Sequence, residues 1–214
     1  MARGVVLAVS AAVATLAAVA GGVLTLGDGS APEEPARQAA TFSTTALAGF
    51  DTTTASVLRG PFCDAIDDRQ VDAVLGQVPD VVAWSNGDSI DITGSGTTDV
   101  VHEFGCSYAV QGVGAARAWV FAPPIDADQA QRLVKSAGKA PGCQVGAGPA
   151  FGSPTLALTC SKGDTTRVSY RGLFGDAWLV CEVERRTDAG VDVADVAGRW
   201  CVGVLQAAGS AANQ

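Results

Sequence analysis

The amino-acid sequence predicts an α+β domain in which an antiparallel sheet carries helices packed on one face. Three observations predict it. Strand-like runs bounded by turn residues recur from Val100 onward, among them Val100 to Val110, Ala116 to Ala122 and Ala177 to Glu184. Two segments repeat apolar residues at helical spacing along a single stripe, which suits packing on one side. Six cysteines, an even number, all fall in the same part of the 214-residue chain, as a disulfide framework requires.

The chain opens with Met1-Ala2-Arg3 and then runs from Gly4 to Leu26 without a charge. A helix of that length spans the roughly 30 Å hydrocarbon core of a bilayer. Residues 1–27 therefore read as an N-terminal transmembrane anchor or signal peptide. Arg3 and the amino terminus favour the cytoplasmic side, which sends the remainder outward. The expected location is the cell membrane, with a single pass through residues 4–26 and the C-terminal domain outside. Cleavage near Ala20 is the competing reading, because Ala18-Val19-Ala20 fits the small-x-small rule, and it would leave a secreted protein. The apolar run continues through Val23, Leu24 and Leu26, past that site. No cysteine lies near this segment to carry a lipid.

Residues 28–60 form a composition break. Asp28-Gly29-Ser30-Ala31-Pro32-Glu33-Glu34-Pro35 is polar and turn-rich, and Thr44-Thr45 and Thr52-Thr53-Thr54 follow in an Ala/Thr/Ser stretch. So little apolar surface does not offset ordering entropy, and a flexible linker is expected. Its Thr-rich, Pro-containing character also suits O-glycosylation, and a helix across Glu34 to Leu47 is compatible with its Ala, Gln and Arg. Residues 61–209 then form the extracytoplasmic domain, and 210–214 a short tail.

Within that domain Pro61-Phe62-Cys63-Asp64 opens a helix expected from Asp64 to Leu75 and ended by Gly76, with Ile66, Ala73 and Val74 as its apolar residues. Val81 to Trp84 reads as a strand, Ser85-Asn86-Gly87-Asp88 as a turn, and Asp91 to Asp99 as a loop around Gly94 and Gly96. A hairpin joins Val100 to Val110 and Ala116 to Ala122 and carries Phe104, Tyr108, Trp119 and Phe121. Asp126 caps an amphipathic helix, with Gln129 in the capping-box position. Its stripe is Ala127, Ala130, Leu133, Val134 and Ala137, and Gly138 closes it. After a Gly/Pro-rich stretch come strands at Thr155 to Cys160, Arg167 to Arg171 (Val168 and Tyr170 inward) and Ala177 to Glu184. A last helix is lined by Val193, Val196, Ala197, Trp200, Val204 and Leu205. Cys106-Ser107 and Cys160-Ser161, each followed by a turn, strands and a helix, form an internal echo that suggests a pseudo-repeat.

Cys63, Cys106, Cys143, Cys160, Cys181 and Cys201 lie in the exported part, where the compartment is oxidising. No two of them are closer than seventeen positions, which does not match the paired ligands of zinc sites, and Cys-x-x-Cys is absent. Six cysteines allow fifteen pairings, and sequence does not choose among them. Sequential pairing, Cys63–Cys106, Cys143–Cys160 and Cys181–Cys201, ties adjoining elements and is the expected one.

The formal charge of −8 includes no Lys/Arg cluster longer than Arg185-Arg186. Nucleic-acid affinity rests on phosphate neutralisation, so no nucleic-acid partner is expected. Catalytic constellations are also wanting. His102-Glu103 is the single His–carboxylate pair, and adjacent strand residues point to opposite faces. Gly87-Asp88-Ser89-Ile90 superficially resembles the nucleophile block of the GDSL hydrolases, yet no histidine follows residue 102. Glu182 and Glu184 share a strand face and read as a solvated strand end, as do Arg185 and Arg186. Asp88-Ser89-Ile90-Asp91 has too few oxygen ligands at the spacing of a calcium loop. Of the tryptophans, Trp119, Trp178 and Trp200 fall on apolar stripes expected in the core, and Trp84, next to a turn, at the surface. No catalytic, cofactor-binding or metal-ligating residue is assigned.

Phe62-Cys63-Asp64, the helix ending at Leu75-Gly76, and Phe104-Gly105-Cys106-Ser107-Tyr108 resemble a recurring pattern. It is that of uncharacterised actinobacterial exported and lipoprotein-like envelope domains, themselves broadly similar to the extracellular sensor domains of mycobacterial serine/threonine kinases. The resemblance covers residues 61–110 and implies a disulfide-bonded α+β envelope domain, with no catalytic residue to carry over. This chain departs from it in having neither the lipoprotein cysteine nor a kinase domain. The expected function is that of a non-catalytic extracytoplasmic domain that binds a small envelope ligand or a partner protein. The rival readings are a hydrolase acting on envelope material and a structural or assembly protein of the envelope.

Overall fold

The computed structural model describes residues 43–91 and 98–210. Its strands are β1 (Val81–Trp84), β2 (Ser89–Asp91), β3 (Thr98–Val100), β4 (Glu103–Val110), β5 (Gly114–Phe121), β6 (Cys143–Gly146), β7 (Thr155–Lys162), β8 (Thr165–Phe174) and β9 (Ala177–Arg186). Its helices are α1 (Asp68–Leu75), α2 (Ala127–Ala137) and α3 (Val193–Ser210), with single 3-10 turns at Leu47–Gly49 and Cys63–Ala65. Seven strands form one sheet in the order β1-β4-β5-β9-β8-β7-β6, and β2 and β3 form a separate ribbon. All pairs are antiparallel. The fold is α+β, as the patterning predicts.

The helix ends follow from local chemistry. Asp67 accepts from the Arg69 amide at the start of α1, Asp126 from the Gln129 amide at the start of α2, and Asp192 from the Ala194 amide at the start of α3. Each carboxylate satisfies an amide that has no partner inside its helix. The cap at Asp67 corrects the expected helix start: Cys63–Ala65 is a separate 3-10 turn, and Ile66 is extended between the two. Gln70, Val71, Val74 and Leu75 form the buried side of α1, while Ala73 is exposed.

The core lies mainly between one face of the sheet and α1 with α3. Tyr108 of β4, Ala118 of β5, Cys181 of β9 and Tyr170 of β8 meet Trp200 and Val204 there, together with Val71 and Val74. Trp200 packs edge-on to Tyr108 at 5.9 Å between ring centroids and donates from Nε1 to the Arg117 carbonyl at 3.0 Å. Burial on this scale is the dominant favourable contribution to the fold.

Helices on one face describes α1 and α3; α2 lies on the other. Ile125, Ala130, Leu133 and Val134 pack against Trp119, Phe121, Leu173, Trp178 and Val180, side chains that alternate with those facing α3. Val134 and Ala137 also meet Leu156, Leu158 and Cys160. The reason is visible in β9, where Ala177-Trp178-Leu179-Val180-Cys181 is apolar without alternation. A strand buried on both faces reads that way, and both faces then need a cover. The internal echo does not reach side-chain placement either, since Cys106 faces α3 and Cys160 faces α2.

Residues 43–60 correct the expected linker boundary. Leu47 and Val57 are buried in the main core, and Leu58 donates its amide to the Ala208 carbonyl at the end of α3. A few well-placed apolar residues anchor this otherwise polar stretch. Gly203 and Gln70 show how closely the layers approach: a Cβ at Gly203 would lie 2.7 Å from Gln70 Cγ. Gln70 is held in turn by the Ser43 amide and the Arg199 carbonyl.

Three strands were not expected from the sequence. β6 forms inside the Gly/Pro-rich stretch, where Cys143 pairs directly opposite Cys160. β2 and β3 flank residues 92–97, so the loop expected there lies largely outside the described residues. So do the expected anchor or signal peptide of residues 1–27, the expected linker up to residue 42, and the expected tail from residue 211. Among the described residues, no helix is long and apolar enough to cross a membrane.

Candidate binding face

Three disulfides, Cys63–Cys106, Cys143–Cys160 and Cys181–Cys201, pair all six cysteines sequentially. The first joins the turn before α1 to β4, the second joins β6 to β7, and the third joins β9 to α3. In the chain-entropy model each loop of this size contributes about 3–4 kcal/mol. The cysteines are thus structural, and the chemistry of the molecule has to be sought elsewhere.

The sheet face that α2 covers only in part gathers charged and aromatic residues. Register aligns Trp84, Gly105, Trp119, Val180, Arg171 and Leu156 in one row across the strands. The adjoining row holds Val82, Ser107, Arg117, Glu182 and Ser169. The next opposes Glu184 of β9 to Arg167 of β8. Period-two alternation places all of these on one side.

Trp84 is seated by the absence of a side chain opposite it. A Cβ at Gly105 would lie 2.5 Å from Trp84 Cζ2 and 2.8 Å from the Ala118 carbonyl oxygen. The indole Nε1 donates to Glu103 Oε1 at 3.0 Å. Burial raises the Glu103 carboxyl above its ordinary value, and this hydrogen bond opposes the rise. Trp84 and Trp119 are both half-buried, whereas Trp178 and Trp200 are wholly in the core. Trp119 packs against the second core cluster, as its apolar stripe predicts, and keeps part of its ring exposed.

Glu182 corrects another expectation, since it is not a solvated strand end. It is 4% exposed, accepts from Arg117 Nη1 at 3.2 Å and lies 3.8 Å from Arg167 Nε. The neighbouring strands supply the arginines that make a buried carboxylate tolerable. Among the described residues, Arg171, one row away, makes one long contact, from Nε to Ser169 Oγ at 3.5 Å. Burial lowers its guanidinium from the ordinary value, and Glu182 opposes that shift. At the far end of β9, Arg185 is half-buried and donates to the Val74 carbonyl at the end of α1. Arg186 pairs with Asp164 and Asp188 in solvent.

The remaining candidates from the sequence do not converge. His102 is exposed between β3 and β4, and Asp88 accepts from the Ser85 amide to close its turn. Among the described residues, no group of three His, Cys, Asp or Glu is placed to hold a metal ion. Between α1, α3 and the segment at Ser43 a cavity of about 130 Å³ is lined by Gln70, Val74, Val196 and Arg199. Sites for drug-sized ligands run to roughly 300–1,000 Å³, so the open sheet face is the better candidate. Sequence reasoning missed Arg117, Arg167 and Arg171. The available signal was their period-two spacing with Trp119 and Ser169, opposite the Glu182/Glu184 pair. No model of a known protein family and no curated protein matches this chain.

Proposed function

We propose that this domain works outside the cytoplasmic membrane as a non-catalytic module of the cell envelope, binding a small ligand or partner protein through the open sheet face. The face carries the reading. It sets half-exposed Trp84 and Trp119 beside partly exposed arginines and exposed Val82, the aromatic, apolar and guanidinium mixture that dominates recognition surfaces. Three disulfides, which persist in oxidising compartments, support the outward location. The uncharged run from Gly4 to Leu26 supports a tether.

The test has two arms. Protease added to intact cells should remove the domain, and protection of the domain in intact cells would place it inside. Cell-envelope fragments and candidate envelope proteins should raise the melting temperature of the full chain. That rise should shrink when Trp119 is replaced by Ala. If nothing in the panel raises the melting temperature, the binding reading fails. Substrate turnover on the same panel would move the protein to the hydrolase class.

A further inference from the structure

The open face is electrostatically unbalanced, although the chain as a whole is acidic. Strand alternation puts Arg117, Arg167, Arg171, Arg186 and Lys162 on it with the three carboxylates Glu103, Glu182 and Glu184. Glu182 is engaged by Arg117 and lies within reach of Arg167. Among the described residues, no carboxylate lies within 4 Å of Arg171. Register places Arg171 between Val180 and Leu156, which belong to the two apolar clusters under α2. Its stem is thereby sheltered, and its half-buried head is left with one neutral contact, Ser169 Oγ.

A partly desolvated guanidinium without an anion is costly, and a planar, doubly hydrogen-bonded oxyanion is its best complement. Arg117 and Arg167 meet Glu182 and Arg186 meets Asp164 and Asp188, so Arg171 keeps a single positive charge unmatched among the guanidiniums of the face. That excess suits a monoanion better than a phosphate dianion. Trp119, in the same row as Arg171, offers an aromatic surface for the apolar part of such a molecule.

We infer that the face binds a small carboxylate-bearing ligand, with its carboxylate on Arg171 and Arg117 and its apolar portion against Trp119. This rests on the open face being the binding surface and adds the chemical class of what it takes. Glu182 then acts as a positioning residue that holds Arg117 in the row.

The probe is N-acetylalanine, compared with its uncharged amide and with inorganic phosphate, at constant ionic strength. Binding to the full chain is read from the guanidinium Nε–H resonances and tryptophan fluorescence. Saturable binding of N-acetylalanine is expected, with the amide and phosphate each at least tenfold weaker. Arg171→Gln and, separately, Arg117→Gln should weaken it at least tenfold, while Lys139→Gln, on an exposed side chain, should leave it unchanged. Arg171→Lys keeps the charge but loses the fork, and should retain only part of the affinity if Arg171→Gln fails to fold. Equal affinity for acid and amide, or full affinity in the folded arginine variants, would overturn the inference. Envelope fragments that stabilise the wild-type chain and Arg171→Gln equally would sink the carboxylate site and leave the binding module standing. Fragments that stabilise neither would sink the module itself.

Discussion

Arg117 Nη1 and Glu182 Oε1 lie 3.2 Å apart, with the arginine side chain 34% exposed and the glutamate 6%. One partner of this pair is thus in the protein and the other half in water. Losing the charge of the buried partner leaves two arginines without their carboxylate. Glu182→Gln should lower stability by about 1–3 kcal/mol, read from the urea midpoint at constant slope. A cycle with Arg117→Met should give a coupling of about 1 kcal/mol, below that of a fully buried pair because solvent screens the guanidinium. Zero coupling would show that the two do not act together.

Trp84 occupies the space above Gly105. Gly105→Ala should push the indole off the sheet and break its bond to Glu103. The expected cost is about 1–3 kcal/mol from overpacking against Trp84 and the Ala118 carbonyl. Trp84 emission should shift to longer wavelength as the ring meets water. If Gly105→Ala leaves both stability and emission unchanged, the close packing at this position is wrong.

The three disulfides differ in access. Cys181 and Cys201 are fully buried, whereas Cys160 is 9% exposed and Cys143 more so on the edge strand β6. Exchange requires a thiolate to reach the sulfur. Graded reduction followed by alkylation and mass spectrometry should therefore label Cys143 and Cys160 before Cys181 and Cys201. Replacing Cys181 and Cys201 together by Ala should cost about 3 kcal/mol in the chain-entropy model. Labelling in the reverse order would contradict the burial described for these pairs.

Glu103 gives stability a pH dependence of defined sign. Its carboxyl is raised by burial, so the stability that it contributes is present below the ordinary value of 4.5. That contribution is lost as pH rises through its higher folded-state value. Glu103→Gln, neutral throughout, should gain on the wild type between pH 4 and pH 7 in denaturation experiments. A gain in the opposite direction would refute this. The tyrosines make the alkaline counterpart. Burial, followed by Asp68 and Asp64, pushes Tyr108 up to about 12, and burial also raises Tyr170. No native phenolate step is expected near pH 10, and absorbance at 295 nm should rise only above it or with unfolding.

Much of the fold is legible in the sequence because its signals are local. Asp126 announces α2, since a capping carboxylate and the amides it satisfies are neighbours in the chain. Val168 and Tyr170 announce the inner face of β8 through the strand period. Even cysteine count and spacing announce disulfides without stating who pairs with whom. Tertiary structure decided what depends on distant partners. Whether Glu182 is solvated turns on Arg117, sixty-five positions away, and whether Leu47 belongs to the core turns on Gly198 and the rest of α3. The face that α2 covers, and the row that brings Trp84, Trp119 and Arg171 together, depend on strand order and register. Those follow from long-range packing of two-sided strands, which a one-dimensional pattern does not encode.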